Sequence, residues 1–212
     1  FAHQYQRVER IGAHRPVAQR LGGGLQRAQD GHAGGGQHGQ RAGEARRVVA
    51  AREPAHQRQL QPGGIEALAT LADGRLLIIA EELENPDGSV KAWVIDDGQF
   101  AELSYLPDKG FRVTDCAALI NGDVLVLERR YVSFGILSAR LTRVKAGSLR
   151  PGAKLAGKEL LKLEQPLAVE NFEGIAVQQT SNGTMIFIVS DDNYSSFQQT
   201  LLLQFLLPDS DR

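Results

Sequence analysis

From Gly64 onward the chain runs in short apolar blocks of four to eight residues, broken every eight to twelve residues by Gly, Asn, Asp or Pro. The blocks fall at 65–71, 75–81, 91–95 and 100–106, then at 112–119, 123–129, 137–144 and 159–163. A third set follows at 174–178, 185–190 and 200–206. The cores LLIIA, VLVL and MIFIV are too short for helices and rich in branched or aromatic residues, so they predict strands. Continuous apolar runs, rather than strict alternation, predict strands buried on both faces. The pairs Asp73-Gly74, Asn121-Gly122 and Asn182-Gly183 predict tight hairpins, because Gly and Asn accept positive φ. Only 154–164 has a helix-like spacing, and it alternates as well as it turns.

These blocks repeat. GIEALATLADGRLLIIAEE, VTDCAALINGDVLVLERR and FEGIAVQQTSNGTMIFIVSDDN share one plan: an acidic residue, an apolar run, a turn, a hydrophobic strand and a second acidic residue. Sheets of four strands repeated about every 50 residues are the signature of propeller blades. The fold class expected is all-β: a partial β-propeller of about three four-stranded blades over residues 63–212, preceded by a poorly structured segment. A closed propeller takes at least about four blades, so the three are read as part of a ring, and the site they build as incomplete.

Composition separates the first 62 residues from the rest. They hold ten Arg, ten Gln, ten Gly, ten Ala and all five His, with no Lys, Met or Trp. Ten Arg face four acidic residues there, whereas residues 63–212 hold 14 Lys plus Arg against 21 Asp plus Glu. The near-neutral total is a cancellation and identifies no partner. With almost no apolar period, residues 1–62 cannot bury enough surface to offset their ordering entropy. They read as a disordered arm, or as GC-rich DNA translated in a shifted frame. The start at Phe1 rather than Met reads as a fragment. A nucleic-acid binder would need an ordered, Arg-lined surface in this segment, and none is expected.

The single Cys116 lies in an apolar block and reads as a buried core residue, not a nucleophile. No span of 18 apolar residues predicts a membrane helix, and no signal peptide is visible. Residues 63–212 contain no His, which excludes a Ser-His-Asp hydrolase within them. No phosphate-binding glycine loop is present.

The chemistry expected comes from the repeated acids. Glu66, Asp115 and Glu173 open the first strand of each copy, and Glu81, Glu128 and Asp191 close the second. The start of one hairpin strand and the end of the next lie at the same end, so the acids are expected around one mouth. Such oxygen-rich rims suit Ca²⁺, with Glu66, Glu81, Asp115, Glu173, Asp191, Asp192 and Asn193 as candidate ligands, and a bound ion would polarise an ester and orient water for metal-assisted hydrolysis. Glu66, Glu128 and Glu173 are candidate acid–base groups, and Arg129 would hold an anionic ester. The alternative reading is a non-catalytic β-propeller binding module, with the same acids serving as structural calcium sites or rim bonds.

The motifs Asn171-Phe172-Glu173-Gly174-Ile175-Ala176, Ser190-Asp191-Asp192-Asn193 and Gln199-Thr200-Leu201-Leu202 add a resemblance. Over residues 63–212 the chain resembles the esterase-like phytase family of bacterial phytase-like domain proteins. The resemblance implies a β-propeller-like protein, periplasmic or secreted, that hydrolyses phosphomonoesters or simple esters. Family members have a signal peptide and earlier blades where this chain has its Arg- and Gln-rich segment.

Overall fold

Three hairpins, each turning at one of the expected Gly positions, organise the chain in the computed structural model. It describes residues 64–132, 136–167 and 169–208, with two strands near the start. These two are β1 (Gln6–Arg10) and β2 (Val17–Ala18). The expectation of a disordered or wrong-frame segment over 1–62 otherwise lies outside the described residues. Then come β3 (Ile65–Thr70), β4 (Leu76–Glu84), β5 (Val90–Asp96) and β6 (Gln99–Tyr105). The second set is β7 (Arg112–Ala118), β8 (Val124–Val132), β9 (Ile136–Val144), β10 (Lys154–Leu155) and β11 (Lys158–Leu163). The third is β12 (Phe172–Thr180), β13 (Gly183–Ser190) and β14 (Leu202–Leu207). Every strand expected from the apolar blocks is present, and the described residues form no α-helix.

The strands make three sheets, ordered β10-β6-β5-β4-β3, β11-β9-β8-β7 and β12-β13-β14-β1-β2. Each is built on a meander, and the leading strands β3, β7 and β12 lie side by side. The fold is all-β: three sheets packed around two hydrophobic cores. Strand β8 shows why its apolar run is unbroken. Val124 and Val126 pack toward the first sheet with Ala67, Leu77 and Ile79, while Leu125 and Leu127 pack toward the third with Phe172, Ile186 and Phe205. Alternate residues of one strand thus enter two cores. Each large side chain so buried contributes about 1.5–3 kcal/mol. Cys116 is among them, and burial together with the Asp115 charge pushes its thiol pKa well up.

The stretch 154–164 is two strands, not a helix. Gly157 interrupts it between β10 and β11, and a Cβ there would collide with the Thr142 side chain. Strand β10 runs parallel along β6 of the first sheet, whereas β11 pairs with β9 of the second. The segment therefore ties two sheets together.

The first two turns are alike. Leu71 and Leu119 bond Arg75 and Asp123 across three-residue loops, with Gly74 at φ 89° and Gly122 at φ 86°. After the second turn, Asp123 is almost fully buried. It accepts bonds from Arg143 Nε at 2.6 Å, Lys145 Nζ at 3.0 Å and the Ala146 amide at 2.9 Å. Burial pushes its pKa up, but the Ala146 amide, Lys145 and Arg143 outweigh that and hold it below the usual range. A carboxylate depressed by folding stabilises above its unfolded value and loses that contribution as pH falls through its folded value. Asp123→Asn is expected to cost about 1.5–3 kcal/mol at neutral pH. The wild-type advantage should shrink below about pH 4 in parallel denaturation series.

Candidate functional site

The three leading hairpins share a fault in register, and it decides which side chains meet. In each, one residue of the first strand bulges out between consecutive pairs. Ile65 pairs with Ala80 and Ala67 with Ile79; Val113 pairs with Glu128 and Asp115 with Leu127; Phe172 pairs with Ser190 and Gly174 with Val189. The extra residues are Glu66, Thr114 and Glu173. A bulge re-aims the residue it carries. Glu66 and Glu173 are therefore equivalent, but Asp115 lies one place beyond the position they share. On the return strands Glu128 is in register with Ala80 and Ser190, and Arg129 with Glu81 and Asp191. Counting from Gly74 and Gly122 shows both offsets, but the third loop, with two residues rather than three, hides the equivalence of Glu66 and Glu173.

One consequence is a cluster centred on Arg129. Its Nη2 lies 3.4 Å from Glu81 Oε1 and its Nη1 3.2 Å from Glu173 Oε1. Nη1 also donates to Asn171 Oδ1, and Asn171 Nδ2 donates to Glu173 Oε1 at 2.7 Å. The Arg129 side chain is about one-third exposed, while its Nε is buried with no hydrogen-bond acceptor. Glu173 has a raised pKa. Burial is the main cause, Arg129 and Asn171 oppose it, and the Glu81 and Glu66 charges add to it. Glu66, Glu81 and Glu173 thus share one electrostatic neighbourhood, supplied by the first and third sheets around an arginine from the second.

The other predicted residues go elsewhere. Asp115 accepts the Ile175 amide of the neighbouring sheet at 2.8 Å and the Cys116 amide at 2.8 Å, so it fastens β7 to β12. Asp191 Oδ1 accepts the Asn193 amide, and Asp192 accepts the Tyr194 amide and the Thr200 hydroxyl. Asn193 donates to Gln198. These bonds hold Asn193 and Tyr194 at φ 49° and 55°, in the left-handed region. Glu128 is fully buried on the face of β8 opposite Arg129.

The calcium expectation meets this geometry directly. Among the described residues, no group of three His, Cys, Asp or Glu side chains is placed to hold a metal ion. Of the seven expected ligands, Asp115, Asp191, Asp192 and Asn193 are engaged elsewhere, and Arg129 already lies between Glu81 and Glu173. As placed, these residues do not fit Ca²⁺.

Arg129 also lines a cleft of about 740 Å³. Its wall is residues 106–112, the β6–β7 connection with the first residue of β7, faced by Glu84, Gly88 and Tyr131. Lys109 and Arg112 add two cations to Arg129 along this lining, and Arg112 is paired with Glu82. Lys109, Arg112 and Asn171 bear on the site through tertiary placement. In the sequence only Asn171 carries a signal, beside Glu173.

A family model described as phytase-like, esterase-like activity of phytase, matches residues 34–194. The chain belongs to the phytase-like family. The match begins inside the Arg- and Gln-rich segment and ends just beyond the Asp191-Asp192-Asn193 turn. No curated protein and no solved structure matches the chain. The bulged rim and its cationic cleft lie within the span that places it among phytase-like proteins.

Proposed function

We propose that this phytase-like chain hydrolyses esters of small anionic acids, phosphate monoesters foremost, at the Arg129 rim. The observation that carries the reading is Arg129 itself, held between Glu81 and Glu173 and lining the same cleft as Lys109 and Arg112. A guanidinium presents parallel N–H donors that match phosphate oxygens. Glu173, its pKa raised above the ordinary Glu value by burial, is a stronger base than a free carboxylate and suits general-base work. Water adds to phosphorus as the ester P–O bond breaks; Glu173 takes the water's proton, and the alcohol leaves with a proton from solvent. Family membership also supports an exported, periplasmic or secreted setting. Among the described residues no helix is long and apolar enough to cross a membrane.

The test is phosphate release from p-nitrophenyl phosphate and phytate, beside p-nitrophenyl acetate, with added calcium or with chelator. Release should persist in chelator and fall at least about 100-fold in Glu173→Gln, within the usual span for a lost general base. Its acidic limb should lie above the ordinary Glu value, because the base must be ionised and its pKa is raised. Strict calcium dependence would return the rim acids to a metal site. Absence of release from every ester would favour a binding propeller. That second reading has its own support: Asp115, Asp191 and Asp192 are engaged by backbone amides.

A further inference from the structure

The buried carboxylate on the far side of Arg129 has no part in the chemistry above. Glu128 Oε1 accepts the Tyr105 hydroxyl, and that hydroxyl lies 2.9 Å from Thr142 Oγ1. Glu128 Oε2 is 3.3 Å from Arg140 Nε, close enough for charge attraction but not aligned as a hydrogen bond. Arg140, itself buried, reaches outward. Its Nη1 meets Asp108 Oδ2 at 2.8 Å, and its Nε lies 3.6 Å from Glu159 Oε2. The guanidinium also sits 5.4 Å from the centre of the Phe111 ring, which Arg130 covers at 4.8 Å.

Tyr105, Asp108 and Phe111 flank or belong to one segment, the cleft wall at 106–112. Tyr105 ends β6 just before the wall begins, and Phe111 precedes β7. Inside the wall, Asp108 accepts the Lys109 amide at 2.8 Å, and its own carbonyl accepts the Phe111 amide at 2.9 Å. Lys109 is exposed, with no side-chain partner among the described residues. Both ends and the middle of the wall are thus fastened to the second sheet through Glu128 and Arg140.

We propose that Glu128, Arg140 and Asp108 form a clasp that positions the 106–112 wall, so that Lys109 and Arg112 face an anion held by Arg129. This rests on the anion-binding part of the functional reading, but not on its hydrolytic part. The three are positioning residues: they act through the wall and leave the reacting atoms to the rim. Neighbouring residues of a strand point to opposite faces, so Glu128 secures the wall while Arg129 serves the rim.

The clasp makes a prediction of unusual sign. Asp108 is an exposed carboxylate in the lining of an anion site. If charge alone mattered, Asp108→Asn would tighten anion binding by removing a repulsion. If the clasp positions the wall, the same change weakens binding, because Arg140 loses its outer partner. Calorimetric titration of the full chain with inorganic phosphate should give a dissociation constant raised about fivefold in Asp108→Asn, near the upper range for a partly exposed ion pair. Asp108→Glu should return it to within about twofold, and the melting temperature should move little in either variant. Lys109→Ala should weaken binding too, and the double variant should lose less than the two losses combined, since both changes act through one wall. Unchanged or tighter binding in Asp108→Asn overturns the proposal, as does additivity of the two changes. Failure of the wild-type chain to bind phosphate overturns it as well. Phosphate binding with this pattern but no ester turnover removes the hydrolytic reading and leaves the clasp standing.

Discussion

Glu128→Ala is expected to destabilise the folded chain by about 3–5 kcal/mol, the range for removing one partner of a buried ion pair. The side chain is fully buried between the second sheet and the end of β6. Its loss strands two groups at once. The Tyr105 hydroxyl keeps only Thr142, and Arg140 loses the charge that faces its buried Nε. Arg140 retains Asp108 and Glu159, both substantially exposed, so the loss is not the full cost of an isolated charge. Removing the pair together is a different experiment. Glu128→Met with Arg140→Met replaces two charges by apolar side chains of similar reach, and should recover much of the loss. Glu128 has a raised pKa because burial outweighs the Tyr105 hydroxyl, Arg140 and the Asp108 amide. A carboxyl whose folded pKa is raised holds its proton more tightly when folded. Its contribution is therefore greatest below its unfolded value and declines as pH rises through its folded value. Urea denaturation of wild type and variants at pH 5 and pH 8 checks both points. The Glu128→Ala deficit should be larger at pH 5. A loss below about 1 kcal/mol at both pH values would contradict the network.

The strands were legible because their signals are local. Gly74, Gly122 and Gly183 mark the turns, and the apolar runs between them match the observed strands to within a few residues. Continuous runs such as VLVL implied burial on both faces, and β8 divides between two cores in that way. The helix-like spacing at 154–164 misled because burial, not period, governs that segment. Leu155 fills the core between the first two sheets and Leu163 the core between the second and third. The site was half legible. Repetition pointed to acids gathered from different sheets, and Glu66, Glu81 and Glu173 share a neighbourhood around Arg129. The bulges were not legible. A bulge inserts one residue without changing local composition, yet it reverses the face of every residue beyond it. Asp115 and Glu128 each stand one residue away from the positions held by Glu66 and Glu81, so Asp115 reaches the Ile175 amide and Glu128 the core. The same one-residue offset puts Arg129, not an acid, at the rim position of the second hairpin, which turns an acidic mouth into a mixed one. Tyr105, Arg140 and Thr142, which gather around Glu128, left no trace, because they meet only through pairing between strands distant in sequence.

Arg129→Ala should lower kcat/KM for p-nitrophenyl phosphate by about 100–1,000-fold, the usual loss when one positioned donor to a developing anion is removed. Two effects combine. The first is loss of the guanidinium as a phosphate ligand, which Arg129→Lys restores only in part, because an ammonium provides the charge without the paired donors. The second acts on Glu173. Arg129 is the principal group that lowers the pKa of this carboxyl against burial and against the Glu81 and Glu66 charges. Without it those influences stand unopposed except for the Asn171 bond, and the Glu173 pKa rises further. A base must lose its proton to act, so the acidic limb of the pH–rate profile should move to higher pH in Arg129→Ala. In Arg129→Lys it should move less, since positive charge remains. These shifts separate two roles that a single-pH assay merges. If Arg129 only bound phosphate, the profile would fall in height and keep its position. If it only tuned Glu173, the variant would regain wild-type turnover at high pH. Both a lower plateau and an alkaline shift are expected, because the same guanidinium touches Glu173 and lines the cleft.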